Sequence, residues 1–222
     1  MQEVNAMAQE GISMKCREVG DYSVEMRSIG WWNELAVIRN SDGMPILFVI
    51  LQKDEENPSM KSATEMWKGK PSKLSGMDAF DIVATETLAM RSILSRLLNA
   101  VKKKTEDGFR TIDANYDGIG VELGTQFGCM TGGMKTNLST MSVEVSSVMA
   151  FSDEDCNITL CCIMKYIKNG KNHDRLVRLG SGKDVDEAVS NVNGKIESMI
   201  EGMNRIDEYL FDRLCIGCNE KE

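Results

Sequence analysis

The chain reads as an α+β protein, with antiparallel strands and two long helices near 76–104 and 184–214. Three observations predict this. Apolar and polar residues alternate over 141–151, the period of a half-buried strand. Asn169-Gly170 lies between two strand-like runs, the strongest short hairpin signal. Two stretches carry apolar residues at alternating three and four spacing, the helical period. The strands-then-helix order occurs twice, which favours α+β over alternating βαβ units. It divides the chain into halves of similar layout, 1–107 and 108–222, which also fit one domain.

In the first half, strands are predicted over 22–29, 35–39 and 46–52, with turn chemistry at Asn40-Ser41-Asp42-Gly43. Residues 46–51 are apolar at every position, as expected of a central strand covered on both faces. Residues 53–74 show no clear period. So long a loop marks a functional segment, a disordered one or an unrecognised element. The first helix follows Ser75, with Phe80, Val83, Met90, Leu94, Leu97 and Val101 on its stripe and Thr87 in the remaining slot. Lys102, Lys103 and Lys104 close it, where cations suit the helix dipole.

The second half opens with Gly118, Gly120, Gly124, Gly128, Gly132 and Gly133, read as a flexible or bulged connection. Strands follow over 141–151 and 158–168. A two-residue turn at Asn169-Gly170 then sets a register: Lys168 opposite Lys171, Tyr166 opposite His173, Lys165 opposite Asp174, Ile163 opposite Leu176. The last helix starts at Asp184, with Glu187 three residues on as an Asp-led capping box. Its stripe is Val185, Val189, Val192, Ile196, Met199, Met203, Ile206 and Leu210, an unbroken 4-3-4-3 seam.

Composition narrows the function classes. The chain has 222 residues, a net charge of −8 and a single histidine, His173. One histidine removes most His-based catalytic and metal constellations. Seven cysteines, an odd number with Cys161 and Cys162 adjacent, do not suit a disulfide framework. With no basic-then-apolar leader at the N-terminus and no apolar run of spanning length, a cytoplasmic protein without a membrane partner is expected.

No motif completes a catalytic or cofactor site. Gly128-Cys-Met-Thr-Gly-Gly133-Met-Lys135-Thr136 departs from the phosphate-binding loop, because Met134 separates the last glycine from the lysine. A β-alternating run also follows where that motif requires a helix. Cys215-Ile-Gly-Cys218 lacks the second ligand pair a zinc site needs. The acidic runs Asp54-Glu55-Glu56 and Asp153-Glu154-Asp155 read as solvated turns. No cofactor, no metal and no enzymatic activity are expected.

Two functional expectations remain. The first is a non-catalytic assembly protein that self-associates through the seam from Val185 to Leu210. A strict 3.5-residue period favours a helix as partner. That helix is either the first helix of the same chain or the same helix of a second copy. The second expectation is single-stranded nucleic-acid binding. Lys68, Lys70 and Lys73 flank Trp67 in the 53–74 segment, and Lys165, Lys168, Lys171 and Arg175 gather at the hairpin tip. Cations that follow a backbone beside a ring that stacks a base are what such grooves use. The strands-then-helix order resembles, in layout alone, that of single-strand annealing proteins. No motif carries that likeness and no residue role follows from it.

Overall fold

A computed structural model describes residues 12–29, 32–52, 63–65, 72–74, 76–114, 120–131 and 137–219. It has the α+β architecture, built from two sheets and two long helices.

Six strands follow one another as a meander in the first sheet: β1 (Ile12–Val19), β2 (Tyr22–Ile29), β3 (Trp32–Arg39), β4 (Met44–Gln52), β5 (Ala63–Glu65) and β6 (Ser72–Leu74). All the pairings are antiparallel. One feature corrects the sequence reading: the strand β1 was not foreseen. In the 53–74 segment, β5 and β6 are the unrecognised element that its length allowed for. The long helix α1 follows (Gly76–Asp107), three residues longer than predicted.

The second sheet is mixed. Its centre is β9 (Val143–Ser152), β10 (Ile158–Lys168) and β11 (Lys171–Gly182), all antiparallel. Two short edge strands join it in parallel: β7 (Thr111–Asp113) beside β9, and β8 (Val121–Glu122) beside β11. The predicted hairpin register is found at all four pairs. Asn169 and Gly170 both have positive φ, 53° and 71°, as a type I′ turn requires.

A second correction concerns the glycine-rich stretch. Leu123–Thr131 form a nine-residue helix, α2, where a flexible connection was expected. Leu123, Phe127 and Met130 are fully buried along one face of it. Gly124 lies under the Arg39 guanidinium of β3: a Cβ there would sit 1.8 Å from Nη1, so the arginine would have to swing aside. A 3-10 turn, Leu138–Thr140, leads into β9.

The last helix, α3 (Val185–Asn219), is capped as foreseen. The Asp184 carboxylate accepts from the Glu187 N–H at 2.8 Å, and the Glu187 carboxylate accepts from the Lys183 N–H at 2.7 Å. The helices α1 and α3 run antiparallel. Lys102 pairs with Glu197 and Arg91 with Asp207, so one numbering rises as the other falls. Both helices touch both sheets: α1 lies against β3, β4 and β9, and α3 against β1, β2, β10 and β11. Gly180 and Gly182 of β11 admit α3 closely, facing Val192 and Ala188. One buried cluster joins the layers, from Tyr22 and Val24 through Val83–Val101 to Ile196–Leu210. Among the described residues, no helix is long and apolar enough to cross a membrane.

Candidate nucleic-acid interface

The hairpin tip is built by alternation. Residues directly opposite in a ladder share a face, and every second residue returns to it. Cys162 faces Val177, Met164 faces Arg175, Tyr166 faces His173 and Lys168 faces Lys171. Cys162, Met164 and Val177 are buried, so this face begins in the core and runs out to solvent at the tip.

Where it emerges, the face becomes a cleft of about 320 Å³. Tyr166, Lys168, Lys171, His173 and Arg175 line it, with Asn169 of the turn and Cys129 of α2. Thus the sequence-derived grouping of Lys168, Lys171 and Arg175 is one surface. The helix α2 was the part sequence reasoning missed. The Lys168 ammonium donates to the Cys129 carbonyl at 2.9 Å, a cation on a C-terminal helix carbonyl where the dipole favours it. Lys171 and Arg175 are exposed, with no ion-pair or hydrogen-bond partner among the described residues. The Tyr166 and His173 rings stack with centroids 5.1 Å apart and planes 12° apart, an ordinary aromatic geometry. No carboxylate among the described residues lines this cleft.

The opposite face of the tip differs in sign. Lys165 pairs across the ladder with Glu144 on one side and Asp174 on the other. These three line a second cleft of about 400 Å³, which Tyr166 and His173 also border. Lys165 is therefore parted from the other three hairpin cations and set between two carboxylates.

The remaining predicted contacts lie elsewhere. Lys73 is in β6 at the edge of the first sheet. Trp67, Lys68 and Lys70 lie outside the described residues, as do Asp54, Glu55 and Glu56. Cys215 and Cys218 fall in the last turns of α3. The Asp153 carboxylate accepts from the N–H groups of Asp155 and Asn157 at 3.0 and 2.8 Å, which makes it a turn fastener. No cluster of metal-ligating side chains occurs among the described residues.

The seam residues serve the interior of the chain. Val192, Ile196, Met203, Ile206 and Leu210 are at most 1% exposed; Val189 and Met199 are buried, and Val185 packs against the core in part. Their neighbours are α1 and the sheets, so α1 is the helix partner present.

A third cleft, about 340 Å³, lies where β2, β3, β8 and α3 meet. It gathers Asp21, Arg39, Asp42, Glu122 and Lys195, but its charges are largely spoken for. Arg39 pairs with Asp42, Glu122 with Arg178 at 3.1 Å, and Asp21 accepts from Ser41. Burial pushes the Tyr22 hydroxyl on its wall up to about 12. Lys195 donates to the Leu179 carbonyl at 3.4 Å, so one cation without an ion pair among the described residues stands here beside the carboxylates of Asp21, Asp42 and Glu122.

In comparisons with known proteins, the chain matches no family model, no curated protein and no solved structure.

Proposed function

We propose that the chain is a non-catalytic, single-stranded nucleic-acid-binding protein whose hairpin-tip cleft grips the phosphate backbone. One observation carries the reading: Lys168, Lys171 and Arg175 converge on one concave face that no carboxylate among the described residues lines. Lys171 and Arg175 stand four residues apart on β11, about 13 Å at the strand rise, so they reach different phosphates of an extended chain. The net charge of −8 opposes long-range attraction, so binding rests on contacts at this face, and the phosphates neutralised there make affinity fall as salt rises. The sequence also carries Trp67 beside Lys68, Lys70 and Lys73, a ring among cations of the kind that such binding uses. Self-association through the seam receives no comparable support, since a second copy would first have to separate α1 from α3.

The test is fluorescence anisotropy of a labelled single-stranded oligonucleotide at low salt. Lys171→Glu with Arg175→Glu is expected to weaken binding by about tenfold or more, through lost phosphate contacts. Lys165→Glu, on the opposite face, is expected to weaken it far less. No binding by the wild type, or equal losses from both faces, contradicts the proposal.

A further inference from the structure

We infer that His173 is a protonation switch in the hairpin-tip cleft, so that the cleft binds phosphodiester more tightly below neutral pH. The inference rests on the nucleic-acid reading above. His173 is the chain's single histidine, placed between surroundings of opposite sign. On the cleft side it meets Lys168 of β10 and Lys171 and Arg175 of β11, with Cys129 of α2 on the far wall. On the other side stand Glu144 of β9, Lys165 of β10 and Asp174 of β11. The Tyr166 ring, stacked at 5.1 Å, fixes the imidazole in place and offers its face to the charged form.

Imidazole is the side chain whose charge changes between pH 5 and 8. A phosphodiester seated among Lys168, Lys171 and Arg175 sets a negative charge beside the ring, and that charge favours the imidazolium. Proton uptake and nucleic-acid binding are then linked, each strengthening the other. No covalent bond to the oligonucleotide is made; one proton passes from hydronium to the imidazole nitrogen, forming an N–H bond and releasing water. The phosphodiester itself does not titrate in this range.

The experiment measures oligonucleotide affinity at pH 5.5 and 7.5, at equal ionic strength, for the wild type and His173→Gln. The wild type is expected to bind about fivefold tighter at the lower pH, the scale of one solvent-exposed hydrogen bond. In His173→Gln the ratio of the two affinities is expected to fall close to one. Another group changes charge in the same window: the carboxyl of Asp207, between α1 and α3, is raised to about 6 by burial. His173→Gln retains Asp207, so loss of the pH response assigns it to the imidazole. On the wild type alone, the imidazole NMR signal is expected to titrate at higher pH when oligonucleotide is saturating. Equal pH ratios in both proteins, or an unmoved imidazole titration, overturn the switch. If wild-type affinity is the same at both pH values while Lys171→Glu with Arg175→Glu still weakens it, the switch fails and the binding reading stands. No binding at either pH overturns both.

Discussion

Glu86 of α1 is 5% exposed, yet its carboxylate is well supplied with donors. It accepts from the N–H of Leu138 and from the hydroxyl and N–H of Ser139, which pins the 3-10 turn to the helix. Burial still raises its pKa, against the pull of those three donors. Asp207 of α3 has less help. Its side chain is 13% exposed, neither oxygen has a hydrogen-bond partner among the described residues, and Arg91 stands 3.4 Å away. Arg91 also donates to Asn204 at 2.8 Å. Burial outweighs Arg91 and lifts the Asp207 carboxyl to about 6. In an unfolded chain an aspartate titrates near 3.9. The folded chain therefore binds the extra proton between these values. The stability from this group is full below about 4 and is lost as pH rises through about 6. Asp207→Asn removes the term. Its melting temperature relative to the wild type is expected to be about 2–4 °C more favourable at pH 7.5 than at pH 4.5. A mutant-to-wild-type difference independent of pH would contradict this account of Asp207. Neither acid stood out in the sequence, because the stripe of α1 was read as one row. The buried face is wider, taking in Glu86 and Ile93 beside Val83, Thr87, Met90 and Leu94.

Among the elements, long periodic segments were legible and short or glycine-diluted ones were not. The hairpin register followed from the turn alone, because two residues with positive φ leave little freedom to slip. Both long helices were legible from their stripes. The helix α2 was hidden by Gly124 and Gly128, each of which lowers helix propensity by about 1 kcal/mol. Its signal was the Leu123, Phe127, Met130 spacing, and tertiary burial of that face overrides the propensity. The strand β1 carries Ile12, Met14 and Cys16 alternating with Ser13, Lys15 and Arg17, a period-2 pattern overshadowed by the more regular runs after it. The glycines of α3 show what periodicity cannot reveal. By propensity alone, Gly194 and Gly202 each weaken the helix by about 1 kcal/mol relative to Ala. A Cβ at Gly194 meets nothing within 4 Å, whereas one at Gly202 lies 3.0 Å from the Tyr22 ring. Tyr22 is 4% exposed, and its ring has little room to give. Gly194→Ala is expected to stabilise the fold by about 0.5–1 kcal/mol. Gly202→Ala is expected to destabilise it by about 1–3 kcal/mol through overpacking. Denaturant unfolding of the two variants measures both signs. A stabilising Gly202→Ala would mean that the α3–β2 contact is looser than described.

For the molecule as a whole, the strands-then-helix halves were visible in sequence, but their union was not. Each half's long helix also touches the other half's sheet, and residues of both halves share one buried cluster. That arrangement takes up the seam, whose spacing alone fits either an internal or an external helix. The candidate interface was legible in part. Alternation places Lys168, Lys171, Tyr166, His173 and Arg175 on one face and Lys165 on the other, but only tertiary structure brings Cys129 of α2 to the first face and Glu144 of β9 beside Lys165. The acidic average of the chain therefore conceals a local surface of opposite sign. The central claim is that this surface grips phosphates, and the salt dependence of oligonucleotide affinity tests it most directly. Each phosphate contact with a single strand adds about 0.7 to the magnitude of the slope of log affinity against log salt. Replacing Lys171 and Arg175 by Ala together is expected to lower that magnitude by about 1.4 from the wild-type value. An unchanged slope, or no wild-type binding at low salt, would contradict it.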